Sequence, residues 1–253
     1  MDHAVPRPSA CESRSPRELI VRDIIKGLYE GRYVPGQRLV EADLTVQYRV
    51  SRGPVREALN WLAAHGIVSL TLQRGAQVRC LSREEAIDIL VVVESLIGLA
   101  ARLAALHAQS STAAEKLRGA LARLDGFDPS SGSSEYARAR DSFYGALMQI
   151  AGNAELRRMM PGNLIHLVRV QYRDALRAAD PTRHADYRAI AKAVLAGEAA
   201  AAESAARAHI ANMIAVLAHY PGEAWGRPFR AQRATVARSG GVLPHRPSRS
   251  KQR

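Results

Sequence analysis

Apolar positions along the first eighty residues alternate with polar ones at two different periods. Leu19, Ile20, Ile24, Ile25 and Leu28 recur every three to four residues, which predicts a helix over 17–30. Gly31 ends it, and Pro35–Gly36 marks a turn. The segment EADLTVQYRV predicts a short second helix. Ser51 then reads as an N-cap, with Pro54 tolerated in the first turn of a third helix that runs to about His65. That helix places Val55, Ala58, Leu59 and Leu62 on one face, at i, i+3, i+4 and i+7. Beyond Gly66 the period shortens. IVSLTLQRGAQVRC holds two extended segments around a turn at Arg74–Gly75, and it predicts a β-hairpin.

From Ser82 onward only the helical period remains. Ser82 and Glu85 form a capping box that opens a long helix to about His107. Thr112 and Glu115 open another, to about Leu124. Further helices are predicted in SEYARARDSFYGALMQIAG, AELRRMM, NLIHLVRVQYRDALRAA, ADYRAIAKAVLAG and EAAAAESAARAHIANMIAVLAHY, with Gly197 between the last two. The expected organisation is a disordered tail over 1–16, a DNA-binding unit over 17–80, an all-helical unit over 82–220, and a basic disordered tail over 221–253. The fold class is mainly α: a winged helix-turn-helix followed by a helical bundle.

Charge is distributed unevenly over the 253 residues. The formal net charge is +12. Residues 1–80 hold 12 Lys/Arg against 8 Asp/Glu, and residues 81–220 hold 16 against 15. Residues 221–253 hold 8 against 1. A neutral body with basic ends points to a polyanion, nucleic acid before anionic membrane. Two cysteines, Cys11 and Cys80, make neither a disulfide framework nor a metal finger. The N-terminus has no apolar signal region, and IDILVVVESLIGLAARLAA is interrupted by Asp88, Glu94 and Arg102, short of the run of about 18 expected of a membrane span. The expectation is a cytoplasmic protein without membrane contact.

The third helix carries the first candidate chemistry. Arg52, Arg56 and Asn60 lie at i, i+4 and i+8, opposite the apolar face. Positive charge at a helix N-terminus opposes the dipole. In a winged helix-turn-helix that end enters the major groove, where arginine forks onto guanine or phosphate. The alternative is a solvated face, with Arg56 paired to Glu41 or Glu57.

The stretch GLYEGRYVPGQRLVEADLTVQYRVSRGPVREALNWLAAHGIVSLTLQRGAQV resembles the N-terminal domain of the GntR family of bacterial transcription regulators. The shared features are the Pro-Gly turn, the Leu-x-Glu segment, Ser-Arg-x-Pro-Val-Arg-Glu-Ala-Leu and a glycine-containing wing. The resemblance implies DNA contacts from Arg52 and Arg56, with Ser51 and Gly53 close to phosphate and Arg74 and Gly75 at the wing tip; Arg49 and, from its place on the stripe, Asn60 complete the candidate DNA-binding set. Ala42 stands where many relatives carry another basic residue.

Residues 82–220 resemble the FCD effector domain of the FadR-type branch, through LIGLAARLAA, FYGALMQIAGNAEL, DYRAIAKAVLAGE and AARAHI in order. Many relatives hold a divalent metal there through one aspartate and three histidines. Those positions fall on Arg140, Tyr144, Tyr187 and His209, of which only His209 keeps its identity. Arginine cannot ligate a metal, and Asp141 is one residue, about 100°, out of register. The metal site therefore reads as lost, and no cofactor is expected. Two readings of the altered site stay open. The tyrosines fill the vacated space and His209 is a core histidine, or the four side chains line a metal-free cavity in which arginine clamps a ligand carboxylate. Val93 and Ile97 replace a polar pair on the first effector helix, which suits a partly apolar or aromatic acid.

The leading functional expectation is a repressor of a catabolic operon, released by a small organic carboxylate, acting as a homodimer on a pseudo-palindromic double-stranded operator. A ligand-independent architectural DNA-binding protein is the alternative. An enzyme on the helical bundle is weaker still, because the chain has no phosphate loop, nucleophile elbow or HExxH.

Overall fold

The computed structural model describes residues 15–71, 75–108, 111–127, 134–160, 162–178 and 180–220. The chain begins with α1 (Pro16–Tyr29), β1 (Arg38–Leu39), α2 (Glu41–Tyr48), α3 (Arg52–Ala64), β2 (Val68–Thr71) and β3 (Gly75–Val78). Ser15 caps α1 by accepting from the Glu18 amide at 3.3 Å, and Pro16 sits in the first turn, so the helix reaches into the expected tail. Residues 1–14 and 221–253, assigned to the tails, lie outside the described residues.

α1 packs on α3, and α2 on α3. Ile20, Ile24, Val55, Ala58, Leu59 and Leu62 make the dry centre of this half. Each large side chain there contributes roughly 1.5–3 kcal/mol by burial. The hairpin forms as expected, but it is not alone. β1 pairs antiparallel with β3, placing Arg38 opposite Gln77 and Leu39 opposite Ala76, so the sheet order is β1-β3-β2. The two-residue β1 has no period of its own, and the sequence predicts no strand there. Gly36, at φ +80°, lets the chain turn into it.

The second half comprises α4 (Arg83–His107), α5 (Ser111–Asp125), α6 (Ser134–Ala151), α7 (Ala154–Met159), α8 (Gly162–Gln171), α9 (Arg173–Ala178), α10 (Asp180–Leu195) and α11 (Ala199–His219). Ser82 and Glu85 make both bonds of the capping box. α5 begins at Ser111, so Thr112 is inside the helix and not its cap. The single helix expected from NLIHLVRVQYRDALRAA is two, α8 and α9, parted by a turn at Tyr172. α11 packs along α4, and α4 also packs on α6, α8 and α10. By length and composition α4 is apolar enough to cross a membrane, yet Ala86, Leu90, Val93, Ile97, Ala101 and Ala104 are buried against these helices.

The two halves share one apolar core. At the join, Leu81 is buried, its amide donates to Gln171 Oε1 at 2.8 Å, and its carbonyl accepts from Tyr172 Oη at 2.6 Å. The break between α8 and α9 thus sits where Tyr172 clasps the segment between the wing and α4. α1 also packs on α6 and α8, which brings the last turn of α1 to the effector helices.

Candidate nucleic-acid interface and effector cavity

The turn before α3 is set by Arg49. It ends α2 in the left-handed region (φ 54°, ψ 45°), and it is the one non-glycine residue of positive φ among the described residues. Arg49 is exposed, as are Ser51, Arg52, Gly53, Arg56 and Asn60. Ser51 occupies the N-cap position of α3, but its side chain makes no capping bond. That hydroxyl and the uncapped amides of the first turn form a donor set suited to phosphate. Arg52, Arg56 and Asn60 share one outer stripe, opposite Val55, Leu59 and Leu62. A methyl group at Gly53 would meet no protein atom within 4 Å, so packing inside the chain does not require glycine there.

Arg56 Nε donates to Glu41 Oε2 at 2.9 Å. The intramolecular pairing weighed for Arg56 is therefore present. Its side chains are 62% and 40% exposed, and such a pair contributes about 0–1 kcal/mol, too little to hold the guanidinium against a polyanion. The contact uses Nε alone and orients the arginine. Arg74 lies outside the described residues, while Gly75 is exposed and takes φ +69°, which favours glycine. Ala42 is exposed on α2, and so is Val46.

The effector half contains a cavity of about 180 Å³ between α4, α6 and α8. Val93 and Ile97 of α4, with Met148, Met160 and Ile165, make its apolar wall. Asp141, Tyr144, His166 and Arg169 make its polar end. Of the four altered-site residues only Tyr144 is in this wall. Arg140, Tyr187 and His209 are buried behind it. The aromatic residues do gather: the Tyr187 ring is 4.7 Å from His209, 6.0 Å from Tyr144 and 5.1 Å from Phe143. His209 Nδ1 lies 3.0 Å from Asp186 Oδ2.

The arginine in the wall is Arg169. Its guanidinium lies 5.4 Å above the Tyr144 ring, and its Nη1 is 3.8 Å from Asp141 Oδ1. Sequence reasoning passed over it, although Ile165, Arg169 and Tyr172 follow the buried stripe of α8 and its continuation. Asp141 was likewise set aside as out of register, and that offset turns it toward α8 and α1. Arg140 and Arg169 are 7% and 6% exposed, and the carboxylate beside Arg169, Asp141, is itself partly exposed. Arg140 Nε and Arg169 Nε and Nη2 are buried and make no hydrogen bond among the described residues. Burial, followed by the charge of Arg169, holds the Arg140 pKa below its ordinary value. Burial pushes that of Asp141 up. His166 is pushed down to about 3 by burial and by Arg169, so at neutral pH it faces Asp141, 3.9 Å away, uncharged.

A divalent metal does not fit this site. Among the described residues no three His, Cys, Asp or Glu side chains gather as ligands. The position nearest the old ligand set holds a guanidinium, which repels a cation.

Comparison with known proteins matches both halves. The profile for bacterial regulatory proteins of the gntR family covers residues 16–78, and that for the FCD domain covers residues 88–212. A probable D-xylose utilization operon transcriptional repressor from Paenarthrobacter nicotinovorans is 29% identical over 80% of this chain and 89% of its own. The HTH-type transcriptional repressor GlaR of Escherichia coli K12 is 26% identical over 77% and 90%. In fold, the chain is similar to E. coli McbR/YncC (TM-score 0.69, 19% identity, 81% and 98% covered). It is equally similar to a GntR regulator from Rhodococcus sp. RHA1 (TM-score 0.69, 23% identity, 82% and 100% covered).

Proposed function

As the chain belongs to the GntR family of bacterial regulatory proteins and carries an FCD domain behind its DNA-binding half, we propose that it is a repressor whose grip on its operator is released by a small organic carboxylate. It is a DNA-binding transcription regulator and not an enzyme. Repression of a catabolic operon is supported by relatives named as repressors, one of them of a sugar-utilization operon. The protein works in the cytoplasm, as a homodimer on a pseudo-palindromic site, because one recognition helix reads only a few base pairs.

The effector class rests on one observation: buried guanidinium donors without hydrogen-bond partners among the described residues, Arg169 Nε and Nη2, at a cavity with an apolar far wall. Unmade donors of a buried cation are costly. A carboxylate at Arg169 satisfies Nε and Nη2 of that residue, and its body lies on Val93, Ile97 and Met148. At about 180 Å³ the cavity is smaller than the roughly 300–1,000 Å³ of drug-sized pockets, which limits the body to a single ring or a short chain.

The test is a thermal-shift series with benzoate, short aliphatic carboxylates and the matching neutral amides. Carboxylates that raise Tm in the wild type but not in Arg169→Met support the reading. Equal shifts from acids and amides, or none from any carboxylate, overturn it. Footprinting on fragments of the source genome then finds the operator and measures its release.

A further inference from the structure

Arg140 stands where the resemblance places a metal ligand, and its surroundings leave its own charge unbalanced. It is buried on α6, and its guanidinium lies 5.6 Å from the centre of the Tyr136 ring, one turn before it. Among the described residues no carboxylate forms an ion pair with it. The acids nearby are engaged elsewhere: Asp141 is bonded to Tyr29 and lies 3.8 Å from Arg169, and Asp186 lies 3.0 Å from His209. Arg140 Nε is buried without a hydrogen-bond partner among the described residues, and so is the hydroxyl of Tyr144, one turn further along α6. Residues four apart share a helix face, so these two side chains lie together. The neighbours gathered there are aromatic. The buried Tyr187 ring is 6.0 Å from that of Tyr144 and turned 75° to it, and Phe143 is 5.1 Å from Tyr187.

A guanidinium keeps its proton at any accessible pH. Its burial is therefore not relieved by neutralisation, as that of a lysine or histidine is. Water can accept the two bonds but brings no charge, and a buried cation without a counter-charge is among the costlier arrangements in a protein. We propose that a chloride ion is held behind the cavity between α4, α6 and α8, by Arg140 Nε and the Tyr144 hydroxyl. Charge and size select the ion. One guanidinium without an acid calls for one negative charge. Arg140 does not border the cavity of about 180 Å³ and is 7% exposed, so the ion is of the smallest kind, neither a tetrahedral oxyanion nor the body of an organic acid. A halide also suits aromatic neighbours, because ring edges are the positive parts of the quadrupole. The site is thus opposite in sign to the cation that the resemblance implies at these positions.

Tyr144 belongs to both places. It stands in the cavity wall, its ring 5.4 Å from the Arg169 guanidinium, and its hydroxyl donates to the ion. The ion fixes that hydroxyl and with it one side of the wall. The organic acid of the functional reading binds at Arg169, a different guanidinium, so either inference can fail without the other.

For the test, the full chain is dialysed into sodium fluoride, and Tm is followed as chloride, bromide or sulfate replaces fluoride at constant ionic strength. Chloride and bromide should raise Tm saturably, by about 3–6 °C at ten times the dissociation constant, and sulfate should not. Arg140→Met should fold, since it removes an unbalanced buried charge, and should lose the halide response. Tyr144→Phe keeps the ring and should raise the halide dissociation constant about tenfold. In crystals grown with bromide, anomalous scattering should place one ion beside Arg140 Nε. A wild type without a saturable halide response overturns the proposal, as does the same response in Arg140→Met or an unchanged dissociation constant in Tyr144→Phe. Bromide on the surface alone means an adventitious ion only, and sulfate binding in preference to halide means an oxyanion site; either result also overturns it. If Arg140→Met does not fold, Tyr144→Phe and the bromide position decide.

Discussion

The phenol of Tyr29, last residue of α1, donates a 3.3 Å hydrogen bond to Oδ2 of Asp141 in α6. The same ring stands edge-on to His166 at 4.9 Å, and Arg173 Nη2 donates to the Tyr29 carbonyl at 2.9 Å. Asp141 and His166 both line the cavity between α4, α6 and α8. A side chain of the DNA-binding half thus rests directly on the polar end of that cavity. Asp141 is shared between Tyr29 and Arg169. Under the proposed reading, an anion bound at Arg169 would compete with Asp141 for it, next to the contact with the end of α1.

Tyr29→Phe keeps the ring and removes the hydroxyl. It should cost about 0.5–1.5 kcal/mol in stability and leave the fold intact. Hydrogen exchange at the C-terminal turn of α1 should quicken more than at α3. Uniform acceleration throughout the first half would show that the bond is not a specific tie between the halves.

Arg56→Ala should weaken specific operator binding by about 1–3 kcal/mol and leave thermal stability nearly unchanged, since its bond to Glu41 is exposed. Glu41→Gln should not lower affinity comparably. A titration of a fluorescent operator duplex at fixed salt measures both. If the two variants lose equally, Arg56 acts through Glu41 and not through DNA.

Gly53→Ala separates folding from binding. The position is helical, exposed and free of neighbours within 4 Å, so alanine should stabilise α3 by up to about 1 kcal/mol. Against DNA the added methyl group should obstruct the close approach of a phosphate and lower affinity. Tm and operator affinity should therefore move in opposite directions.

His166 makes the protein acid-sensitive in a defined window. Its folded pKa of about 3 lies below the ordinary value of 6.5, so between these values the unfolded chain binds a proton that the folded chain refuses. Stability then rises with pH across that range and is lost as pH falls below about 6.5, with a slope of at most about 1.4 kcal/mol per pH unit from this one group. Asp141, Arg169 and Tyr29 face the imidazole. Asp141, with its raised pKa, acts in the opposite sense at lower pH. His166→Phe keeps the edge-on ring contact and should flatten the urea-unfolding free energy between pH 5 and 6.5 relative to wild type. An unchanged slope would place the titration elsewhere.

The chain's local patterns specified much of this protein. The period of Val55, Ala58, Leu59 and Leu62 set the buried face of α3 and so put Arg52, Arg56 and Asn60 outside. The Ser82–Glu85 box set the start of α4. These features depend on contacts within a few residues, which adjacent sequence controls. β1 was illegible because its two residues owe their strand state to β3, some forty positions away. The cavity was only half legible. The replacement of ligand-type residues at Arg140, Tyr144 and Tyr187 was legible, since ligand chemistry belongs to residue type. Which arginine faces the cavity was decided by how α6 and α8 turn against each other, and that packing brought Arg169 and Asp141 forward and left Arg140 and Tyr187 behind. The contact of Tyr29 with Asp141 joins residues 112 positions apart. Neither neighbourhood carries a sign of it, because the bond exists only once both halves close on one core.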